Sequence, residues 1–212
     1  MLDKRLPFKH VIMRLDSNTC TEEPTLPEGF AFRMFQEGDE YHWARIETSV
    51  NEFDNEQKAL EYFRRDYLYR LEELKERCVF VINPEGLPVA TANAWYANSS
   101  VGYQASFHWL GVCPEYQGLG LGKAVTKKVL CLFAEWEPDE PIWLHTQTWS
   151  HVAIAMYHKL GFNILKTEAT AVEIGGENPG PVISKNDYEE AIEVLKEVFD
   201  TEMIKDLTRT AK

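Results

Sequence analysis

The stretch Val112-Cys113-Pro114-Glu115-Tyr116-Gln117-Gly118-Leu119-Gly120-Leu121-Gly122-Lys123 lies between a strand-like aromatic run and a helical stripe, and its reading decides the fold. Glycines at 118, 120 and 122 let the backbone approach a ligand with no Cβ in the way. The free N–H groups and dipole at a helix start favour an anion, and a pyrophosphate suits such a turn. Spacing separates the competing phosphate loops. A P-loop requires Gly-x-x-x-x-Gly-Lys-Ser/Thr, but Gln117 stands five residues before Gly122 and Ala124 follows Lys123. A dinucleotide fingerprint requires Gly-x-Gly-x-x-Gly; counted from Gly118 the third position is Lys123, and counted from Gly120 it is Val125.

Working outward, Phe107 to Val112 reads as a strand ended by Pro114, which cannot donate to a sheet ladder. Before it, Val79 to Ile82, the turn Asn83 to Gly86 and Val89 to Trp95 predict a hairpin. Earlier still come a strand over Phe30 to Phe35, a helix over Tyr41 to Val50, and one longer helix carrying Leu60, Phe63, Tyr67, Leu71 and Leu74 on one face. Downstream, Val125, Val129, Leu132, Phe133 and Trp136 form a helical stripe stopped by Pro138 and Pro141. A strand over Ile142 to Gln147, a helix through Ala153, Met156, Tyr157 and Leu160 capped by Gly161, and a strand over Phe162 to Lys166 follow. In the tail, Ser184-x-x-Asp187 starts a helix striped by Tyr188, Ala191, Ile192, Leu195 and Phe199. The fold class is α/β: a mixed sheet, antiparallel in the N-terminal half and parallel around the glycine turn, flanked by helices. The expected organisation is an N-terminal arm over 1–28, a domain over 29–170, and a C-terminal extension with one helix over 171–212.

The chain has 212 residues, 44% hydrophobic and 12% aromatic, enough for one sizeable core, with no internal repeat or linker-like stretch. A net charge of −12 argues against nucleic-acid binding and against docking on an anionic membrane, and suits a cationic acceptor. Cys20, Cys78, Cys113 and Cys131 are widely separated, with no metal-ligand spacing, so reduced thiols and no metal are expected. Residues Met1 to Arg14 lack a signal-peptide core and nothing later has the apolar length of a membrane span, which predicts a cytoplasmic protein.

The pattern Gln117-x-x-Gly120-x-Gly122, preceded by Val112-x-Pro114, resembles the Q/R-x-x-G-x-G/A acyl-CoA signature of the GNAT superfamily of N-acyltransferases. Ala153-x-x-Met156-Tyr157-x-x-x-Gly161-Phe162 is similar to a later motif of that superfamily, and the order of elements from Gly29 to Lys166 resembles its fold more loosely. The resemblance implies acetyl-CoA as donor, bound by Leu110, Val112, Gln117, Gly118, Leu119, Gly120, Leu121, Gly122 and Lys123. It also implies a small-molecule or peptide amine as acceptor and direct attack on the thioester. Many relatives carry Asn three residues before the alanine of the second motif, where this chain has Ser150, able to contact the pantetheine arm or merely to cap the helix.

Acyl transfer to an amine needs a neutral amine, a polarised carbonyl and help for the departing thiolate. By resemblance, Tyr157 is the general acid near the sulfur, and the backbone of Leu110 to Val112 polarises the carbonyl and pairs with the pantetheine. His108 is the best placed proton acceptor, with Glu47, Glu52 and Asp54 as alternatives. Trp43, Phe53, Trp95, Tyr96, Trp109 and Trp149 are candidates for an acceptor wall. A non-catalytic acyl-CoA-binding module or sensor is the competing function. The tail helix must bury its stripe against the domain or against a second copy, so a homodimer is one of two arrangements open to it.

Overall fold

A computed structural model describes residues 2–18, 20, 22–175 and 180–212. Seven strands form one sheet: β1 (His10–Leu15), β2 (Ala31–Met34), β3 (Cys78–Ile82), β4 (Pro88–Ser99), β5 (Gly102–Val112), β6 (Ile142–Gln147) and β7 (Asn163–Ile164). Their spatial order is β2-β3-β4-β5-β6-β1-β7. Every pairing is antiparallel except β5 with β6, the parallel pair that flanks the glycine turn. The crossover between them is α4 (Leu121–Trp136).

Alternation along the strands buries both faces of the sheet. Val79 and Val81 of β3 join Val125, Val129 and Phe133 of α4 in one core, while Cys78 and Phe80 face the other way. There they meet Trp43 of α1 (Glu40–Ser49) and Phe63 of α2 (Glu56–Asp66). The result is a sheet with helices on both faces. Among the described residues, no helix is long and apolar enough to cross a membrane.

Five expectations are corrected. The segment 1–28, expected as an arm, contributes β1, which sits between β6 and β7 and buries Val11, Ile12 and Met13 almost completely. Its alternation is short and lies far in sequence from its partners, so nothing local marks it as an inner strand. The single long helix expected through Leu74 breaks at Tyr67 (φ −128°, ψ −42°), after which α3 (Leu71–Arg77) begins anew. Tyr67 is buried, and its hydroxyl reaches β5. The extension over 171–212 holds more than one helix: β8 (Thr170–Ile174) pairs with β9 (Gly180–Ser184), and α6 (Tyr188–Leu195) is followed by α7 (Thr201–Thr210). Ser184 closes β9 and does not start the helix; Asp187 occupies that position. The stripe of α6 packs on the domain's own core, with Tyr188, Ala191, Ile192 and Leu195 buried there.

The last correction concerns the thiols. Cys20 and Cys131 form a disulfide across a sequence separation of 111, and Cys78 and Cys113 remain buried thiols. The segment after β1 runs along α4, where Asn18 also donates to the Leu130 carbonyl at 2.6 Å. This proximity exists only in the folded chain.

Because Met13 is fully buried within the main core, Met13→Ala should destabilise the protein by about 2–5 kcal/mol in urea unfolding. A loss below about 1 kcal/mol would be incompatible with β1 as an inner strand.

Candidate active site

Strands β5 and β6 pair only from Ala105 to Phe107 and from Ile142 to Leu144. Beyond that they part, because each follows its other neighbour. On β5, Thr91 of β4 faces Gly111 and Asn93 faces His108, so Trp109 and Leu110 together oppose Ala92 in a bulge. Trp109 adopts φ +52°, which is uncommon for a bulky residue and bends the strand at this point. On the far side, β6 stays paired with β1 as far as Gln147.

Two cavities open into the gap. The larger, about 490 Å³, is bounded by Leu110 and Val112 of β5, by Gln117, Gly118, Gly120, Leu121 and Gly122 of the turn, and by Met156 of α5 (His151–Lys159). The smaller, about 290 Å³, is bounded by His108, Trp109, His145, Tyr157 and both Glu47 and Glu52. Glu52, Leu110, Ser150 and Ala153 belong to both, so the two spaces meet at these residues.

The turn itself suits a phosphate group. Gly118 and Gly120 have φ of +80° and +82°, and a Cβ at either would touch nothing, so the loop is open on its outer side. Gly120 is the residue before α4, whose first N–H groups have no intrahelical partner. Gln117 closes the loop by donating Nε2 to the Val112 carbonyl at 2.9 Å. Leu119 and Lys123 are exposed, and their side chains do not line the larger cavity. Ser150 stands at the start of α5 but makes no side-chain capping bond, which leaves its hydroxyl for the cavities.

Residues 35–162 match the family model described as the acetyltransferase (GNAT) family. The chain belongs to that family. It is also similar to mycothiol acetyltransferases: 30% identical over 170 residues to that of Paenarthrobacter aurescens, covering 71% of this chain and 48% of the relative. To that of Rothia mucilaginosa it is 26% identical over 181 residues, covering 73% and 49%. The chain thus spans about half the length of the curated relatives it matches. Among solved structures, a GCN5-related N-acetyltransferase from Sphaerobacter thermophilus shares the fold with a TM-score of 0.57 at 18% identity, over 76% of this chain and 49% of that one.

GNAT acetyltransferases take the acetyl group from acetyl-CoA, and the proton chemistry such a transfer needs can be examined residue by residue. Tyr157 is 5% exposed, borders the smaller cavity and packs edge-on against Phe107 at 5.6 Å. Burial, reinforced by Glu47 and Glu52, raises its hydroxyl pKa, so the phenol keeps its proton. His108 also borders the smaller cavity, but its environment differs from the expectation of a neutral-range base. Trp109 donates Nε1 to the Tyr67 hydroxyl at 2.9 Å, and that hydroxyl lies 2.7 Å from Nδ1 of His108. The Tyr67 hydroxyl thus joins the indole and the imidazole in one hydrogen-bonded chain. Burial, with a smaller contribution from His145, lowers the His108 pKa to about 3. His108 is thus hydrogen-bonded to Tyr67 and kept neutral by burial.

Glu47 is completely buried at the end of α1, and neither carboxyl oxygen has a hydrogen-bond partner among the described protein atoms. It lies against Gly111, where a Cβ would come 2.6 Å from its Oε1 and 2.7 Å from Ile46, so only glycine fits. Burial, then the nearby Glu52, raises its pKa well above the ordinary carboxylate range. Glu52, half-buried, accepts a 3.4 Å hydrogen bond from Gln147, and burial raises its pKa against that bond. Asp54, the third alternative, is exposed and pairs with Lys58 at 2.6 Å, away from both cavities. Of the six aromatics expected in an acceptor wall, Trp109 alone borders the smaller cavity; Trp43 and Trp95 are core. Phe8, Tyr62, Tyr67 and His145 complete that wall and were not anticipated. Phe8 and His145 reach it only through the β1–β6 pairing, whereas the apolar face carrying Tyr67 was legible as a helical stripe.

The native chain holds the Glu47 proton to higher pH than the unfolded chain does. Its contribution to stability is therefore greatest below the ordinary value of 4.5 and declines as pH rises toward the raised native value. Glu47→Gln should raise Tm at pH 8, leave it unchanged near pH 4 and flatten the profile between. A variant less stable than wild type at pH 8, with the same pH slope, would show that the carboxyl is not held in this way.

Proposed function

We propose that this GNAT acetyltransferase moves an acetyl group from acetyl-CoA to a primary amine held in the smaller cavity, by direct attack on the thioester. The observation that carries this reading is the meeting of the two cavities at Glu52, Leu110, Ser150 and Ala153, with an open phosphate-compatible turn beyond one and two raised-pKa carboxyls beside the other. The donor's pyrophosphate belongs at the amides of 118–123. The edge of β5 past Phe107, which no described strand pairs on the β6 side, suits the pantetheine arm. Lys123, exposed at the turn, is positioned for an outer phosphate oxygen.

In the proposed reaction the amine nitrogen bonds to the carbonyl carbon, the C–S bond breaks, and its electron pair leaves on sulfur. The proton lost by nitrogen goes to Glu52, the carboxylate in contact with both cavities. Tyr157 donates its hydroxyl hydrogen to the departing sulfur, mainly as a stabilising hydrogen bond, since phenol and thiol have similar reference pKa values. Backbone N–H groups at the bulge polarise the carbonyl. Leu110 is well placed because the bulge releases it from regular pairing with β4.

Three variants test this. Gly120→Val, at φ +82°, should raise the acetyl-CoA Kd at least about tenfold by calorimetry with only a modest loss of Tm; unchanged affinity would remove the donor site from the turn. Glu52→Gln should keep acetyl-CoA affinity within about threefold, lower kcat by about 10²–10⁴-fold and erase the acidic limb of kcat/KM, with recovery at high pH where the amine is already neutral. Tyr157→Phe should keep affinity and lower kcat by about 10–1000-fold. A wild-type kcat in either of the last two variants withdraws the role assigned to that residue.

A further inference from the structure

The smaller cavity has a chemical character that narrows the acceptor. At about 290 Å³ it stands at the low end of ligand pockets, roughly 300–1,000 Å³, so it suits a fragment rather than a sugar or a peptide chain. Its sides are aromatic: Tyr62 and Trp109 meet edge to face at 5.1 Å, and Phe8 and Phe107 border the same space. Among the described residues that line it, none is Lys or Arg. The acidic groups that line it are the carboxyls of Glu47 and Glu52.

The cavity is also closed by a wall from the far end of the chain. Val172 of β8 borders it, and the β8–β9 pair is held by two buried side chains. Gln104, 3% exposed on β5, accepts from the Ala171 N–H at 2.8 Å and donates to the Ala169 carbonyl at 3.3 Å. Asp66, 1% exposed at the end of α2, accepts from the Gly175 N–H at 2.8 Å and is paired with Arg65. Anchors on two separate elements make this wall part of the site.

From these features we infer that the acceptor is a small primary amine whose positive charge is carried on one ring-sized apolar body, with no carboxylate or phosphate, and that Val172 limits the length of that body. The inference rests on the proposed acetyl transfer. An arriving ammonium can donate to the unpartnered carboxyl oxygens of Glu47 and is attracted to the aromatic rings of Tyr62 and Trp109 that line the cavity. An anionic group would instead meet two carboxyls without a Lys or Arg among the described lining residues, and burial also keeps His108 and His145 neutral. A polyamine would have to desolvate a second ammonium, a cost that contact with the rings only partly offsets.

The test offers the purified chain, with acetyl-CoA, four amines in parallel: 2-phenylethylamine, phenylalanine, spermidine and a short glycine peptide, with free thiol measured. The kcat/KM for 2-phenylethylamine should exceed that for phenylalanine by at least about 100-fold, the two differing by one carboxylate, and should exceed those of the other two amines. Preference for phenylalanine, spermidine or the peptide overturns the acceptor class and leaves acetyl transfer standing. Thiol release with none of the four, while calorimetry shows acetyl-CoA bound, overturns both readings. Val172→Trp should lower kcat/KM for 2-phenylethylamine at least about 20-fold with acetyl-CoA Kd unchanged. Wild-type kcat/KM in that variant would exclude Val172 as the limiting wall.

Discussion

Strands β5 and β6 share only three paired positions, and the divergence that follows is the constraint on which the rest of the site depends. A parallel pair left to itself would continue its ladder. Here each strand is held by its outer neighbour: β5 by β4, through a bulge that bends it at Trp109, and β6 by β1, which runs antiparallel along its whole length. The gap opens where the glycine turn begins, so a group bound at the turn can extend toward the aromatic cavity. Gly111 is needed for the same reason, because any side chain there would collide with Glu47 and Ile46.

The electrostatics of the gap follow from its burial. Taking a carboxyl out of water favours its neutral form, and taking an imidazole out of water does likewise, so Glu47 moves up while His108 and His145 move down. A site containing His108, His145, Glu47 and Glu52 therefore presents neutral imidazoles and carboxyls poised to gain or lose a proton. The Tyr67 hydroxyl ties His108 to Trp109 and makes them one hydrogen-bonded wall. Tyr67 can reach them because the second helix breaks at that residue.

Segments far from the glycine turn complete the enclosure. Leu2 borders the larger cavity and Phe8 the smaller one. The segment that carries them is fastened by Thr148, which accepts from the Lys9 N–H, and by Trp149, which donates to the Leu6 carbonyl. Val172 closes the opposite side through buried polar anchors at Gln104 and Asp66. Leu2, Phe8 and Val172 lie outside the residues matched by the family model, so segments beyond them add to the walls of both cavities.

The sequence by itself determined the α/β class, the mixed sheet, the helix that starts at the glycine turn and the GNAT family, because each of these is written in short-range signals. Glycines at fixed offsets, apolar residues at periods of two and 3.6, and prolines at strand and helix ends are all local. Tyr157 and the residues of the turn could be named as candidates on the same ground. Only the tertiary structure decided the place of β1, the break at Tyr67, the Cys20–Cys131 disulfide, the walls formed by Phe8 and Val172, and the burial of His108 and Glu47. A proton-accepting role depends on burial and on hydrogen-bond partners, and His108 meets a tyrosine 41 positions earlier in the chain. Those quantities belong to contacts between distant segments, which neither spacing nor composition encodes.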